Sequence, residues 1–417
     1  MKKIHFIGIG GIGVSALAQY YLAKGYKITG SDLVFSEVIE KLEEKGIKVS
    51  LGPHRAENIP KDVDLVIYSP AVQNDNPEYK QAKGQKAKLF SYPEALGEVV
   101  KEYFTIAISG THGKSTTCSM LSLVLIKAGF DPTVIIGTKL KEFGDTNFRE
   151  GKSKYLIIEA DEWKVSLLNY YPQIIGLTNI EKEHLDYYRD LEHILKTFKE
   201  FFSHLPKDGH LIDARKFNLE NEEAKELKKI LKVPGDHNVS NALLVLKIAR
   251  ILKIPDEVSF EALSEYKGSW RRFDQRKLEI GNWKLEIIHD YAHHPTEIKA
   301  TLTAAREKFP DKKIWCIFQP HQYQRTHFLF NDFVRVFSSA PIDKLIIVDI
   351  YDVAGREKGD IKGKVSSKKL IEKINRSWAE YLPKDKVKKY LEDTLKGEEV
   401  VIIMGAGDVY KLLDTNI

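Results

Sequence analysis

Apolar positions in this chain fall into short β-prone runs that alternate with stretches of helical spacing from one end to the other. Lys3 to Ile9 is the first run. It leads into Gly8-Ile9-Gly10-Gly11-Ile12-Gly13, after which Val14 to Lys24 has helical spacing and Gly25 stops the helix. A second strand, Lys27 to Gly30, is followed by Asp32, and a third, Leu65 to Tyr68, ends on Ser69-Pro70. Glu94 to Glu102 reads as a charged helix. Immediately after it Phe104 to Ile108 opens a new strand, loop and helix unit, which continues through strands at Tyr155 to Ile158 and Ile174 to Thr178 and helices near 190–203 and 238–253. After Ser269-Trp270-Arg271-Arg272-Phe273 the pattern restarts, with strands near 284–289, 313–318, 344–349 and 400–404. The expectation is an α/β protein of three domains, 1–102, 103–271 and 272–417: Rossmann-like, then a P-loop-ATPase-like parallel sheet covered by helices on both faces, then Rossmann-like again. No repeat of about 20 to 50 residues and no low-complexity tract interrupts this order.

Composition narrows the class. The 417 residues exceed one ordinary core, and 43% hydrophobic with 29% charged residues is a globular balance. No apolar run approaches the roughly 20 residues that span a bilayer. The first strand begins at once, leaving no room for a signal peptide, so a cytoplasmic enzyme is expected. Cys118 and Cys316 lie far apart without metal-ligand spacing, which predicts two packed thiols and no structural zinc. A net charge of +5, with lysine and glutamate interleaved as in Lys41-Leu42-Glu43-Glu44-Lys45, does not call for nucleic acid.

Two glycine loops carry the chemistry. In Ser109-Gly110-Thr111-His112-Gly113-Lys114-Ser115-Thr116-Thr117 a strand precedes and a helix follows. Glycines let backbone N–H groups close around phosphate oxygens, the helix N-terminus adds a positive dipole end, Lys114 can reach a transferred phosphate and Ser115 can ligate magnesium. Ile108 stands where the longer form of this motif has its first glycine, so the loop is a short variant. The Gly8-x-Gly10-Gly11-x-Gly13 pattern is of the dinucleotide type, with Asp32 placed for a ribose or uracil contact. It suits NAD or a UDP-sugar alike. With both loops present, one nucleotide is expected to supply energy and the other to be part of the substrate.

The order of these loops with Glu159-Ala160-Asp161-Glu162, Thr178-Asn179-Ile180-Glu181-x-x-His184-x-Asp186, His237-Asn238-x-x-Asn241-Ala242, Arg271-Arg272-Phe273, His289-Asp290-Tyr291-Ala292-His293-His294-Pro295-Thr296-Glu297, Phe318-Gln319-Pro320-His321 and Gly405-Ala406-Gly407-Asp408 resembles the Mur ligase family over essentially the whole chain. The Phe6-Ile7-Gly8 loop, the Tyr-x-His-His-Pro-Thr-Glu run and Gln-Pro-His are similar to the branch that adds L-alanine to UDP-N-acetylmuramate in peptidoglycan precursor synthesis. The resemblance implies a UDP-sugar-binding first domain using Gly8, Gly10, Gly11, Gly13, Asp32 and Ser69. It implies a central domain that binds ATP through Gly110, Thr111, His112, Gly113, Lys114, Ser115 and Thr116, with His237 and Asn238 at the adenine. Ser115, Glu159 and His184 would hold magnesium. A third, closing domain would bring Arg272 to the γ-phosphate and Asp290 to the ribose. His293, His321 and Arg325 would hold the amino acid, and His293 or His294 would act as base. The implied reaction activates a lactyl carboxylate as an acyl phosphate and transfers it to the amine, with Lys114 and Arg272 stabilising the transferring phosphoryl group.

The chain departs from that branch in places. Trp163-Lys164 follow the acidic motif where Ser-Asp is usual, Gln322 replaces an arginine after Gln-Pro-His, and the stretch from Gly209 to His237 is short, predicting a trimmed central domain. Lys196 and Lys199 are two positions for the carbamylated lysine that many members carry. The departures keep open a Mur-type ligase that adds another amine or a preformed peptide, and an inactive nucleotide-binding regulator of the same fold stands as a further reading; an NAD-linked dehydrogenase would leave the second loop unused. A monomer or homodimer is expected.

Overall fold

A computed structural model describes residues 2–85, 87–184, 187–280, 283–353 and 361–413. Three sheets, one per α/β domain, follow in sequence. The first contains β1 (Lys3–Ile7), β2 (Lys27–Asp32), β3 (Lys48–Leu51), β4 (Leu65–Tyr68) and β5 (Lys88–Ser91) in the order β3-β2-β1-β4-β5, every pair parallel. This is a doubly wound sheet whose order reverses between β1 and β4, so its ligand crevice opens at the carboxyl ends of those two strands.

The second sheet contains β6 (Phe104–Ser109), β7 (Thr133–Leu140), β8 (Thr146–Arg149), β9 (Tyr155–Ala160), β10 (Ile174–Leu177) and β11 (His210–Asp213) in the order β11-β10-β6-β9-β7-β8. It is the expected parallel sheet, with one antiparallel strand, β8, added beside β7 at the edge. Between Gly209 and His237 lie β11, a single turn at Ala214–Lys216 and the helix Glu222–Ile230. Register places Ser109 beside Ala160 on one side and Leu177 on the other, so the ends of β6, β9 and β10 converge.

The third sheet contains β12 (Asp274–Ile280), β13 (Trp283–Asp290), β14 (Lys313–Phe318), β15 (Lys344–Ile347), β16 (Ala379–Tyr381) and β17 (Glu399–Met404) in the order β12-β13-β17-β14-β15-β16, with only β12 antiparallel. Side chains alternate across it as strand geometry requires: Val400, Ile402 and Met404 join one buried cluster, Val401 and Ile403 the other. Both faces are therefore covered, and the strand reads as an unbroken apolar run.

By contacts the chain forms two compact units. One comprises Met1–Glu183, Tyr187–Asn218 and Asn241–Leu263; the other comprises His184–Asp186, Leu219–Ser240 and Ser264–Ile417. The first unit holds the first two sheets around one apolar cluster, in which Phe6, Leu17 and Tyr20 share neighbours with Ile135, Phe148 and Leu156. A buried polar knot joins them as well: Asn147 on β8 donates to the Ile12 carbonyl and to Ser15 Oγ (2.9 Å), and accepts from Gln19 (2.8 Å). Among the described residues no helix is long and apolar enough to cross a membrane. Both cysteines are buried free thiols, as their spacing predicted.

Candidate functional site

The second glycine loop leaves β6 at Gly110, whose φ of +129° is open only to glycine, and where a Cβ would stand 2.1 Å from Thr178 Oγ1. Gly113, at φ +84°, caps the helix Lys114–Lys127. Between them the loop is clamped by the segment after β10. Thr111 N–H donates to the Asn179 carbonyl (3.1 Å) and His112 N–H to Asn179 Oδ1 (2.9 Å), while the hydroxyl of Thr178 donates to the His112 carbonyl (2.6 Å). Glu181 N–H in turn reaches Thr111 Oγ1 (2.9 Å). Thr178 and Asn179 appear in the sequence only as a motif; their service to the phosphate loop becomes visible in the fold.

The Lys114 ammonium is held by three acceptors: the carbonyls of Gly110 (2.6 Å) and Thr111 (3.2 Å) and Glu162 Oε2 (3.0 Å). Burial opposes its charge. The carboxylates of Glu162, Asp161 and Glu159 outweigh burial and hold its pKa above the usual lysine range, so Lys114 is a cation at any working pH. Glu162, buried at 1% exposure, is thus the ion-pair partner of the phosphate-loop lysine, a role that the acidic motif does not reveal in sequence, where Glu159 stands out instead. Glu159 ends β9, where Ser115 Oγ donates to Oε2 (2.9 Å) and Gly137 N–H to Oε1 (2.6 Å). A hydroxyl and a carboxylate thus converge at the start of the helix, hard oxygen donors of the kind magnesium takes. Thr116 follows, buried on the same turn. Lys196 and Lys199 are both exposed on the helix Leu191–Phe202.

The first loop is built differently. Gly8 and Ile9 donate their N–H groups to the Ser31 carbonyl (2.8 and 3.0 Å), and Gly10 N–H donates to Asp32 Oδ2 (2.8 Å). Asp32 Oδ1 accepts from Leu33 N–H (2.8 Å), so this carboxylate also braces the loop's own backbone. Gly11 is the N-cap of the helix Ile12–Ala23, whose first turn has no acidic residue, leaving a positive end toward an anion. A Cβ at Gly8 would meet Ser69 Cβ at 3.0 Å, and one at Gly13 would meet Tyr92 Oη at 2.8 Å. Burial first, then the charges of Glu159 and Asp161, push the Tyr92 phenol pKa up. Beneath the loop Ser31 Oγ donates to Glu78, a carboxylate with no exposure that also accepts from Asn58 (2.5 Å) and pairs with His54 (3.1 Å) and His5 (3.9 Å). Burial would raise its pKa; these partners outweigh burial and lower it to about 2.

In the second unit Asp290 ends β13 with both oxygens bound to backbone, Phe273 N–H on Oδ2 and Ala292 N–H on Oδ1, each at 2.8 Å. Burial raises its pKa. Arg271 is buried, donates to the Gly405 and Gly407 carbonyls and lies 4.8 Å from the Tyr291 ring centre; Arg272 lies 4.7 Å from the same ring and 4.0 Å from Glu297. The two arginines therefore divide the work: Arg271 is structural, and Arg272 is the more exposed.

His293 Nδ1 faces two acceptors, the Tyr291 carbonyl (3.1 Å) and Glu297 Oε2 (3.2 Å), which places its proton there and leaves Nε2 as the basic nitrogen. His294 is the N-cap of the helix Pro295–Lys308, and its Nδ1 accepts from Thr296 N–H (3.3 Å), a capping role that favours His293 as the base. His321 lies edge-on to His293 at 5.8 Å and stacks on Tyr351; Arg325 donates to its Nδ1 (3.1 Å) and carbonyl (3.0 Å). Gln322 is buried at φ +74° with its N–H on the Tyr351 carbonyl. His237 is exposed on the first turn of the helix Asp236–Ile251, beside buried Asn238, whose side chain donates to the Pro234 carbonyl (2.7 Å).

Left-handed backbone recurs at these positions: Lys164, Val165, His184, Arg271, Phe273 and Gln322 all have φ between +50° and +74°. Each costs roughly 1–2 kcal/mol in a residue other than glycine, and such strain concentrates where geometry serves a site. Asp186 lies outside the described residues.

Comparison with known proteins matches three family models to consecutive stretches: "Mur ligase family, catalytic domain" to residues 3–104, "Mur ligase middle domain" to 108–232, and "Mur ligase, glutamate ligase domain" to 271–407. The UDP-N-acetylmuramate--L-alanine ligase of Clostridium botulinum is 38% identical over 451 aligned positions, covering 99% of this chain and 96% of that protein. Its counterpart from Acetivibrio thermocellus is 39% identical over 455 positions, covering 99% and 94%. Both alignments exceed the 417 residues of this chain, which therefore carries deletions relative to these proteins. Among solved structures, that of the UDP-N-acetylmuramate-alanine ligase MurC from Thermotoga maritima matches with a TM-score of 0.80 at 27% identity, covering 99% of this chain and 97% of that one.

Proposed function

The chain belongs to the Mur ligase family, and on that footing we propose that it joins L-alanine to the lactyl carboxylate of UDP-N-acetylmuramate through an acyl phosphate, with ATP converted to ADP and phosphate. The observation that carries this reading is the Lys114 cluster: a phosphate loop whose lysine is held protonated by Glu162, next to the Ser115–Glu159 pair.

The domains 1–102, 103–271 and 272–417 take the sugar nucleotide, ATP and the amine in turn. The first loop presents the N-terminus of the helix Ile12–Ala23, with the N–H groups of its first turn, to the diphosphate of the sugar nucleotide. At the second, Gly110 to Thr116 surround the phosphates of ATP, and Lys114 neutralises charge spreading over the transferring oxygens. Ser115 and Glu159, with His184, would hold magnesium, which when bound supplies further neutralisation of the phosphate charge. His237 and Asn238 serve the adenine, Arg272 the γ-phosphate, and Asp290, by fixing the Phe273 and Ala292 amides, the loop that meets the ribose. The amine of L-alanine loses its proton to His293 Nε2, and Glu297 at the opposite nitrogen stabilises the resulting imidazolium. Arg325, braced on His321, takes the amino-acid carboxylate. Water must be kept from the acyl phosphate, so closure of the third domain is part of the reaction. The buried free thiols suit a cytoplasmic setting.

The test is phosphate release from ATP in the presence of UDP-N-acetylmuramate, scanned across amino acids and the stem tripeptide. Stimulation by L-alanine above the other amines is expected. Clear stimulation by another amine with none by L-alanine would replace the amine in this reading.

A further inference from the structure

The sugar-nucleotide crevice opens where β1 and β4 end, at the Gly8 loop and at Ser69-Pro70, and Ser69 N–H donating to the Ile7 carbonyl (2.9 Å) ties the two ends together. A side chain from the central domain reaches this point. Lys164 Nζ donates to the Pro70 carbonyl at 2.7 Å and lies 4.7 Å from the Trp163 ring centre. Two residues before it, Glu162 holds Lys114. One short segment thus places a carboxylate on the lysine that meets the γ-phosphate and an ammonium at the mouth of the sugar-nucleotide crevice.

The backbone is bent to achieve this. Lys164 (φ 50°, ψ 36°) and Val165 (φ 54°, ψ 26°) are successive left-handed residues, and the second is β-branched, for which this conformation is unusual. The turn is pinned by Val165 N–H on the Glu162 carbonyl (3.0 Å), Leu167 N–H on the Asp161 carbonyl (3.0 Å) and Ser166 Oγ on the Trp163 carbonyl (2.7 Å). An ordinary right-handed turn would send Lys164 elsewhere. Its position also has an electrostatic logic: a carboxylate that must approach a triphosphate is repelled by it, and a cation at the mouth of the crevice offsets that repulsion.

We infer that Lys164 is a substrate-binding residue that pairs with the lactyl carboxylate of the sugar nucleotide and guides it toward the γ-phosphate. This rests on the function proposed above. Lys164 is exposed, so its replacement spares the core, and thermal unfolding of each variant verifies that the fold is intact.

The experiment titrates wild type, Lys164→Ala and Lys164→Arg with UDP-N-acetylmuramate and with UDP-N-acetylglucosamine, which has the same diphosphate and no lactyl carboxylate. Lys164→Ala is expected to weaken UDP-N-acetylmuramate by about tenfold or more, the scale of one charge-assisted hydrogen bond, and to leave UDP-N-acetylglucosamine within about twofold. Lys164→Arg is expected to recover most of the loss. Equal weakening of both ligands would move the contact to the diphosphate and overturn the inference, as would no weakening of either while wild type binds normally. Failure of wild type to bind UDP-N-acetylmuramate would overturn both this inference and the function beneath it.

Discussion

The two glycine loops of this chain look alike as sequence and differ in what surrounds them. At Gly8 to Gly13 the carboxylate beside the loop, Asp32 at the end of β2, accepts from the N–H groups of Gly10 and Leu33. What remains for a ligand is the N-terminus of the helix Ile12–Ala23 with its first-turn amides. At Gly110 to Ser115 the loop is clamped from outside by Thr178 and Asn179, and charged side chains gather on it: Lys114, Glu162 and Glu159. A loop of amides can hold an anion without acting on it. Bond-making at phosphorus needs mobile charge to be neutralised, which amides alone do weakly and a buried ammonium does well.

That contrast can be broken at four points. The largest effect is expected at the second loop: Lys114→Ala should lower turnover by about a thousandfold or more, roughly 4 kcal/mol, in phosphate-release assays. A loss under tenfold would remove Lys114 from the chemistry. Next comes the buried support of the first loop. Because the Glu78 pKa is lowered from 4.5 to about 2, the carboxylate adds stability that is full above pH 4.5 and lost as pH falls toward 2. Urea unfolding of Glu78→Gln should show about 3 kcal/mol less stability than wild type at pH 7, and the gap should close as pH drops through that window. A gap independent of pH would contradict this assignment. Glu162→Gln comes third, lowering kcat about tenfold, or 1.4 kcal/mol, while leaving KM for the sugar nucleotide unchanged. A change in that KM alone would reassign Glu162 to the first loop. Smallest is Asp32→Asn, which leaves one oxygen to do the work of two and should raise KM for UDP-N-acetylmuramate roughly threefold with kcat intact; an unchanged KM would show that the loop keeps its shape without the carboxylate.

Much of this was legible in the chain beforehand, and the reasons are local. A buried parallel strand such as β17 is an unbroken apolar run, and the phosphate loop needs glycine at Gly110, whose backbone angle only glycine accepts, and at Gly113, where a Cβ would stand 2.7 Å from Asn241 Oδ1. Edge strands escaped notice: β3 and β11 are largely exposed and show no apolar run, and the β7–β8 hairpin lies between two stronger signals. Side-chain partnerships were legible only where they fall within one motif. Glu162 stands in an acidic tetrad, yet nothing in the tetrad says which member faces Lys114. The Glu78 network draws on His5, Ser31, His54 and Asn58, residues that no spacing rule connects. Asp32 ends the second strand, and the same position puts it within reach of the Gly10 amide, a bond that no motif announces. His294 adds a further role of this kind: its Nδ1 caps the helix Pro295–Lys308.

The central claim, that one chain holds two nucleotides on two loops of different kind, is tested most directly by calorimetric titration of Lys114→Ala with UDP-N-acetylmuramate and, separately, with ATP. The predicted result is a UDP-N-acetylmuramate affinity within about twofold of wild type together with ATP binding weakened by about tenfold or more. Joint loss of both ligands, or loss of the sugar nucleotide alone, would contradict it.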